Sequence, residues 1–112
     1  MRKIKKGRVL SSQVRKVEGG YSLSGELDFN TVPVIWKESE AMFTNGSSEE
    51  LIIDLTAVTR ADSAALALLI GWVRRAQAAG VSAVFKGIPG QLLEIARVSG
   101  VEDILPVAKR AG

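Results

Sequence analysis

Residues 51–80 read LIIDLTAVTRADSAALALLIGWVRRAQAAG, and their pattern decides the fold. The first five form a short apolar run rich in β-branched side chains, interrupted only by Asp54. Such a run predicts a strand covered on both faces, as in a parallel sheet. TAVTRAD, residues 56–62, reads as a loop. From 63 to 79 the chain is rich in Ala and Leu, with Asp62 or Ser63 placed to cap a helix and Gly80 to close it. Strand, loop and helix in this order carry Asp62 and Ser63 past the carboxyl end of a strand, where α/β sheets gather ligand contacts. Free N–H groups and the positive end of the helix dipole also meet there. Both residues are good caps and one suffices, so the other is left for a further task. A serine so placed can cap the helix, receive a phosphoryl group or touch another protein.

The helix itself supplies a second clue. Leu66, Ala67, Leu68, Leu69, Ile70, Trp72 and Val73 leave almost no polar face before Arg74. A helix apolar all round is either fully buried or keeps one face for a partner. Full burial is hard in a domain this small, and Ser63, Ala64, Ala65 and Ala67 are small enough to admit a second backbone. At ten residues, the run AALALLIGWV is far short of the ~20 needed to span a bilayer.

Working outward, VLSSQVRKV and YSLSGELDF alternate as strands do and meet at Gly19-Gly20, which predicts a β-hairpin. Tyr21, Leu23 and Gly25 are expected on one face of the second strand. TVPVIWKESEAMF, residues 31–43, predicts a helix, with Thr31 as N-cap and Pro33 in the first turn. Val32, Ile35, Ser39 and Met42 recur at helical spacing, and Trp36 lies beside that stripe. TNGSSEE is a turn, VSAVFKG a strand, PGQLLEIARVSG a short helix opened by Pro89, and VEDILPV a terminal extended or turn segment. The order β-β-α-β-α-β-α predicts an α/β domain, a small mixed sheet begun by a hairpin and covered by helices, with right-handed crossovers.

Composition narrows the function. The 112 residues suit one domain, and 46% hydrophobic content is ample for a core; with only 5% aromatics, that core is aliphatic. There is no cysteine, hence no disulfide, thiolate metal site or cysteine nucleophile, and no histidine, the commonest general base and metal ligand. No P-loop or glycine-rich dinucleotide motif is present, and GIPGQ is a turn into a helix. Most hydrolase and metalloenzyme designs are thereby excluded, only a Ser-Lys or carboxylate enzyme stays open, and a non-enzymatic protein without cofactor or metal is expected. The net charge of +3 is unevenly placed: residues 1–8 hold five Lys/Arg, and Lys109 and Arg110 add two. The remaining eight basic residues face 12 acidic ones, a body of −4 between basic ends, so the basic pI does not mark a nucleic-acid binder. The organisation expected is a basic tail over 1–8, a domain over 9–108 and a basic tail over 109–112. The N-terminal run reads as a solvated tail, or as weak attraction to an anionic membrane surface or acidic partner. No apolar stretch follows it as a secretory signal requires, so a soluble cytoplasmic protein is expected.

The segments LSGELDF, LIIDLTAVTRADSAALALLIGWVRRAQAAG and KGIPGQLLEIARVSGVEDIL together resemble a STAS domain, the fold of bacterial anti-sigma-factor antagonists and related modules, over roughly residues 13–107. Asp-[Ser/Thr]-x-Gly-Leu after a DL strand is the most specific part of the resemblance, and Ala65 stands where the family usually has glycine. LSGELD leading to Trp36, followed by IDLTAVTRADSAALALL, is similar to the MlaB branch, the cytoplasmic STAS subunit of Mla phospholipid transporters. That resemblance implies a protein that catalyses nothing. It would bind the ABC-type ATPase subunit, support its assembly and activity, and reach the permease and the inner face of the inner membrane only through the complex. It matches Ser63 to the family's phosphorylation position, which in the transporter branch lies at the ATPase contact. The partner-binding set is then Trp36, Arg60, Asp62, Ser63, Ala64 and Ala65, while Arg74 reads as a polar rim residue or, more simply, as an ordinary solvated charge. The resemblance leaves a second reading, an anti-sigma-factor antagonist phosphorylated on Ser63. On the residues alone Trp36 is a core or an interface side chain, and Trp72 belongs to the core or to the exposed face of its helix.

Overall fold

Leu23, Leu27, Ile53, Leu55 and Phe85, on three adjacent strands, are fully buried and form the floor on which the helices pack. A computed structural model describes residues 13–43 and 50–108. The basic tails, the first part of the expected hairpin and the TNGSSE turn lie outside the described residues. Four strands, β1 (Val14–Val17), β2 (Gly20–Leu27), β3 (Leu51–Ala61) and β4 (Ala83–Lys86), form one sheet in the order β1-β2-β3-β4. The hairpin pair is antiparallel, and the β2–β3 and β3–β4 pairs are parallel, so the sheet is mixed as the element order predicts. Gly19 turns the hairpin at φ +84°. Gly20 serves close approach instead, since a Cβ there would lie 1.7 Å from the Ile52 carbonyl oxygen.

Three helices complete the fold: α1 (Val32–Glu38), α2 (Ser63–Ala79) and α3 (Gly90–Val98). Short 3-10 turns at Ser39–Phe43 and Glu102–Ile104 follow α1 and α3. The expected helix over 31–43 is thus in two pieces, and its entry is capped differently from the expectation. Asp28 Oδ1 accepts from the N–H groups of Asn30 and Thr31 at 2.9 and 3.1 Å, while the Thr31 hydroxyl accepts from the Asp28 N–H at 2.9 Å. Asp28 and Thr31 therefore satisfy each other across three residues, the logic of a capping box. Thr31 makes no side-chain cap bond of its own.

Two further expectations are corrected. TAVTRAD is not a loop: β3 runs on through Ala61 and pairs with β2 as far as Leu27↔Ala61. The register slips between Ser22 and Ser24 and again between Gly25 and Glu26, where Gly25 sits at φ +81°. These irregularities also break the alternation of β2, so that Gly20, Leu23 and Leu27 are its buried residues. Nor is LIIDL covered on both faces, since Ile53 and Leu55 are fully buried while Ile52 and Asp54 are half-exposed. Asp54 is held at the surface by its own Asx turn, accepting from the Thr56 N–H at 2.9 Å and hydroxyl at 2.8 Å. Burial raises the Asp54 carboxyl, but the Thr56 hydrogen bonds and the Lys86 charge outweigh it and hold the group below the ordinary Asp value.

Candidate partner-binding site

The capping question at the start of α2 has a clear answer. Asp62 stands in extended conformation as N-cap, and its Oδ1 accepts from the Ala64 N–H at 2.8 Å. The Asp62 N–H in turn donates to the Leu27 carbonyl at 3.2 Å, which ties the cap to the end of β2. Ser63 is the first helical residue, exposed, and its hydroxyl is not used by the cap. Gly80 closes α2 at φ +71°.

Helical periodicity then divides α2 into two faces. Ala65, Leu66, Leu68, Leu69, Trp72, Val73 and Ala76 point inward and are buried. Ser63, Ala67 and Arg74 are exposed, with Ala64, Ile70, Gly71 and Arg75 half-buried between. Apolar character all round therefore reflects one buried face and one face of small residues. Ala65 belongs to the first: its exposure is 0%, so it packs in the core and drops out of the surface set expected from the sequence. Trp72 is resolved the same way, fully buried with its ring tilted against Phe43 at 6.5 Å between centroids.

Trp36, on α1, faces this small-residue row. Val32, Pro33, Trp36, Ala67, Leu68 and Gly71 line an open, almost wholly apolar groove of about 280 Å³ between α1 and α2. The ring reaches that position because residue 71 has no side chain; a Cβ on Gly71 would lie 2.8 Å from Trp36 Cζ3. Over one face of the ring lies the guanidinium of Arg75, its Cζ 3.5 Å from the ring centroid. Beneath them is Ser39, the buried polar residue among the described ones, at 0% exposure. Its hydroxyl donates to the Trp36 carbonyl at 2.7 Å and accepts from Trp72 Nε1 at 2.8 Å and from Arg75 Nη1 at 3.2 Å. One donor and two acceptor positions are all that a serine hydroxyl offers, and all three are used.

The expected site residues thus fall into three places. Trp36 lines the α1–α2 groove, Asp62, Ser63 and the half-buried Ala64 form the start of α2, and Arg60 is exposed near the end of β3, opposite Glu26. Sequence reasoning missed Ser39, Gly71 and Arg75. The recurrence of Ala64, Ala67 and Gly71 at three- and four-residue steps, ending at Arg75, was the available signal. Ser39 carried none beyond its place in the helical stripe. Among the described residues no group of His, Cys, Asp or Glu is placed to hold a metal, and no helix is long and apolar enough to cross a membrane.

The profile of the family described as "Mlab, STAS domain" matches residues 12–106. The chain belongs to the MlaB STAS-domain family. A chain of the Acinetobacter MlaFEDB complex in its ATP-bound Vtrans2 conformation is similar to this MlaB-family chain, with a TM-score of 0.69 and 25% identity over 80% of this chain and 93% of that one. The anti-sigma factor antagonist SpoIIAA in its unphosphorylated form shares the fold at a TM-score of 0.64 and 20% identity, covering 88% of each chain. An anti-sigma factor antagonist from Mycobacterium paratuberculosis does so at 0.62 and 23% identity, over 88% of this chain and 84% of that one. No curated protein matches the sequence.

Proposed function

We propose that this MlaB-family chain is a non-catalytic subunit that binds the ATPase of a phospholipid-transporting ABC complex, supports its assembly and activity, and so serves outer-membrane lipid asymmetry. One observation carries this reading: an exposed row of small residues on α2, Ser63 and Ala67, runs beside Trp36 and an open apolar groove. Small residues admit a close backbone, and tryptophan contributes large contact area with little rotamer freedom, which is the make-up of an interface hot spot. Likeness to a chain of the MlaFEDB complex supports the choice of partner. The permease is reached through the ATPase, the protein is held at the cytoplasmic face of the inner membrane through the complex, and nucleic acid is not a partner. A protein without histidine or cysteine suits a role in which the partner does the chemistry.

Co-purification with the ATPase subunit tests this. Trp36→Ala and Ser63→Glu each reduce capture while circular dichroism stays that of the wild type. Full capture by both variants removes the face.

A second reading is favoured by the Ser63 hydroxyl, which Asp62 leaves out of the cap. A phosphoryl group there would sit at the positive end of the α2 dipole and add about −1.5 to −2 charges to the exposed face. This is the chemistry of an anti-sigma-factor antagonist switched by a serine kinase. Ser63→Ala distinguishes the two readings: a switch loses its regulation, whereas an assembly subunit keeps its ATPase with at most a packing loss.

A further inference from the structure

We infer that Arg75 is a positioning residue: it holds the Trp36 ring as a fixed wall of the α1–α2 groove and thereby sets the affinity of whatever docks there. The inference rests on the proposed ATPase-binding reading for its partner, but the positioning itself is a property of the free protein. Trp36 stands near the end of a two-turn helix, half-buried, where an indole would ordinarily sample more than one rotamer. Three contacts oppose this. Gly71 leaves just enough room for the ring edge. The Arg75 guanidinium stacks on one face at 3.5 Å, well inside the ~6 Å reach of a cation–π contact. Below, Arg75 Nη1 donates to Ser39 Oγ at 3.2 Å and to the Trp36 carbonyl at 3.4 Å, while Ser39 holds that same carbonyl at 2.7 Å.

Arg75 therefore couples a buried, saturated hydroxyl to a ring at the surface. Because the guanidinium occupies one ring face, a partner meets only the remaining face and the edge, beside Ala67 and Gly71. A partner that finds the ring already fixed does not spend binding free energy on ordering it. Lysine cannot take over, since an ammonium has no planar fork to stack and bond at once. Gln77, exposed on the same helix and outside the groove, serves as the control.

The test combines two readouts on the full chain. The first is the heteronuclear NOE of the Trp36 indole N–H in 15N-labelled protein, with the signal assigned through Trp36→Phe. The second is affinity for the ATPase subunit of the same organism. In the wild type the Trp36 indole is as ordered as that of buried Trp72. In Arg75→Ala the Trp36 signal alone becomes mobile, the melting temperature changes little, and ATPase affinity falls about tenfold, the size of the cost of immobilising one side chain on binding. Arg75→Lys, the milder variant should Arg75→Ala fail to fold, shows the same mobility, and Gln77→Ala shows neither effect. A Trp36 indole that stays ordered without Arg75 overturns the positioning whatever the affinity. A mobile ring with unchanged affinity, in a protein whose Trp36→Ala variant does lose the ATPase, overturns the link to binding. If Trp36→Ala also binds fully, the proposed face fails and the NOE alone decides the role of Arg75.

Discussion

The Ser39 hydroxyl serves two side chains and one carbonyl at once, and its removal has a calculable consequence. Ser39→Ala leaves the Trp72 Nε1–H with no acceptor in a fully buried setting. An orphaned buried donor costs about 1–3 kcal/mol, which urea unfolding of the variant will show as a lower midpoint with the same slope. Asp54 offers a residue-scale prediction in pH. Its folded pKa lies below the ordinary 3.8, so it adds stability that is fully present above that value and is lost as pH falls through the lower, folded one. The advantage of the wild type over Asp54→Asn is therefore constant at neutral pH and narrows below about pH 4. Burial raises the Glu38 carboxyl and acts in the opposite sense, which is why the difference between the two proteins, not the acid limb of either, is the quantity to measure.

At the scale of the element, α2 shows how a helix can be apolar throughout and still present a face. Its cap makes the division of labour testable. Asp62→Ala removes the bond to the Ala64 N–H and costs about 1 kcal/mol, whereas Ser63→Ala, outside the cap, changes thermal stability by less than about 0.5 kcal/mol. Equal losses in the two variants would contradict this assignment. Gly71→Ala separates packing from binding. Replacing a mid-helix glycine gains up to ~1 kcal/mol of helix propensity, but the added methyl lies 2.8 Å from Trp36 Cζ3 and displaces the ring. Stability near that of the wild type, an altered near-ultraviolet dichroism and weakened ATPase capture are expected together. The bounds of α2 were legible in the sequence because capping and closing residues flank a strong helix former. The extent of β3 was not: Thr56, Ala57, Thr59 and Arg60 are exposed, so nothing in their pattern announces burial. What makes them a strand is pairing with β2 across two register slips, a backbone property that polar side chains do not reveal.

For the whole molecule, the order of strands and helices, the leading hairpin and the mixed sheet were all readable from alternation, helical spacing and glycine placement. The buried face of the sheet was misjudged because Leu51 and Ile52 are apolar yet only half-buried. Of the residues singled out in the sequence, Ser63 is exposed at the start of α2 and Trp36 is half-buried along the α1–α2 groove. Its depth was hidden, because Arg75 on α2 reaches Trp36 on α1 and Ser39 in the 3-10 turn, partners 36 and more positions away in sequence. These parts make a compact account: a sheet that delivers a capped helix, a helix that keeps one row of small residues outward, and a tryptophan fixed beside that row.

The most direct test of this account is affinity capture of the tagged chain from its native cells, with mass spectrometry of the co-purifying proteins and the Trp36→Ala variant as control. The account predicts an ABC ATPase together with its permease and lipid-binding subunits, all lost in the variant. Capture of a serine kinase or an anti-sigma factor in their place, or of the same ATPase complex undiminished by Trp36→Ala, would contradict it.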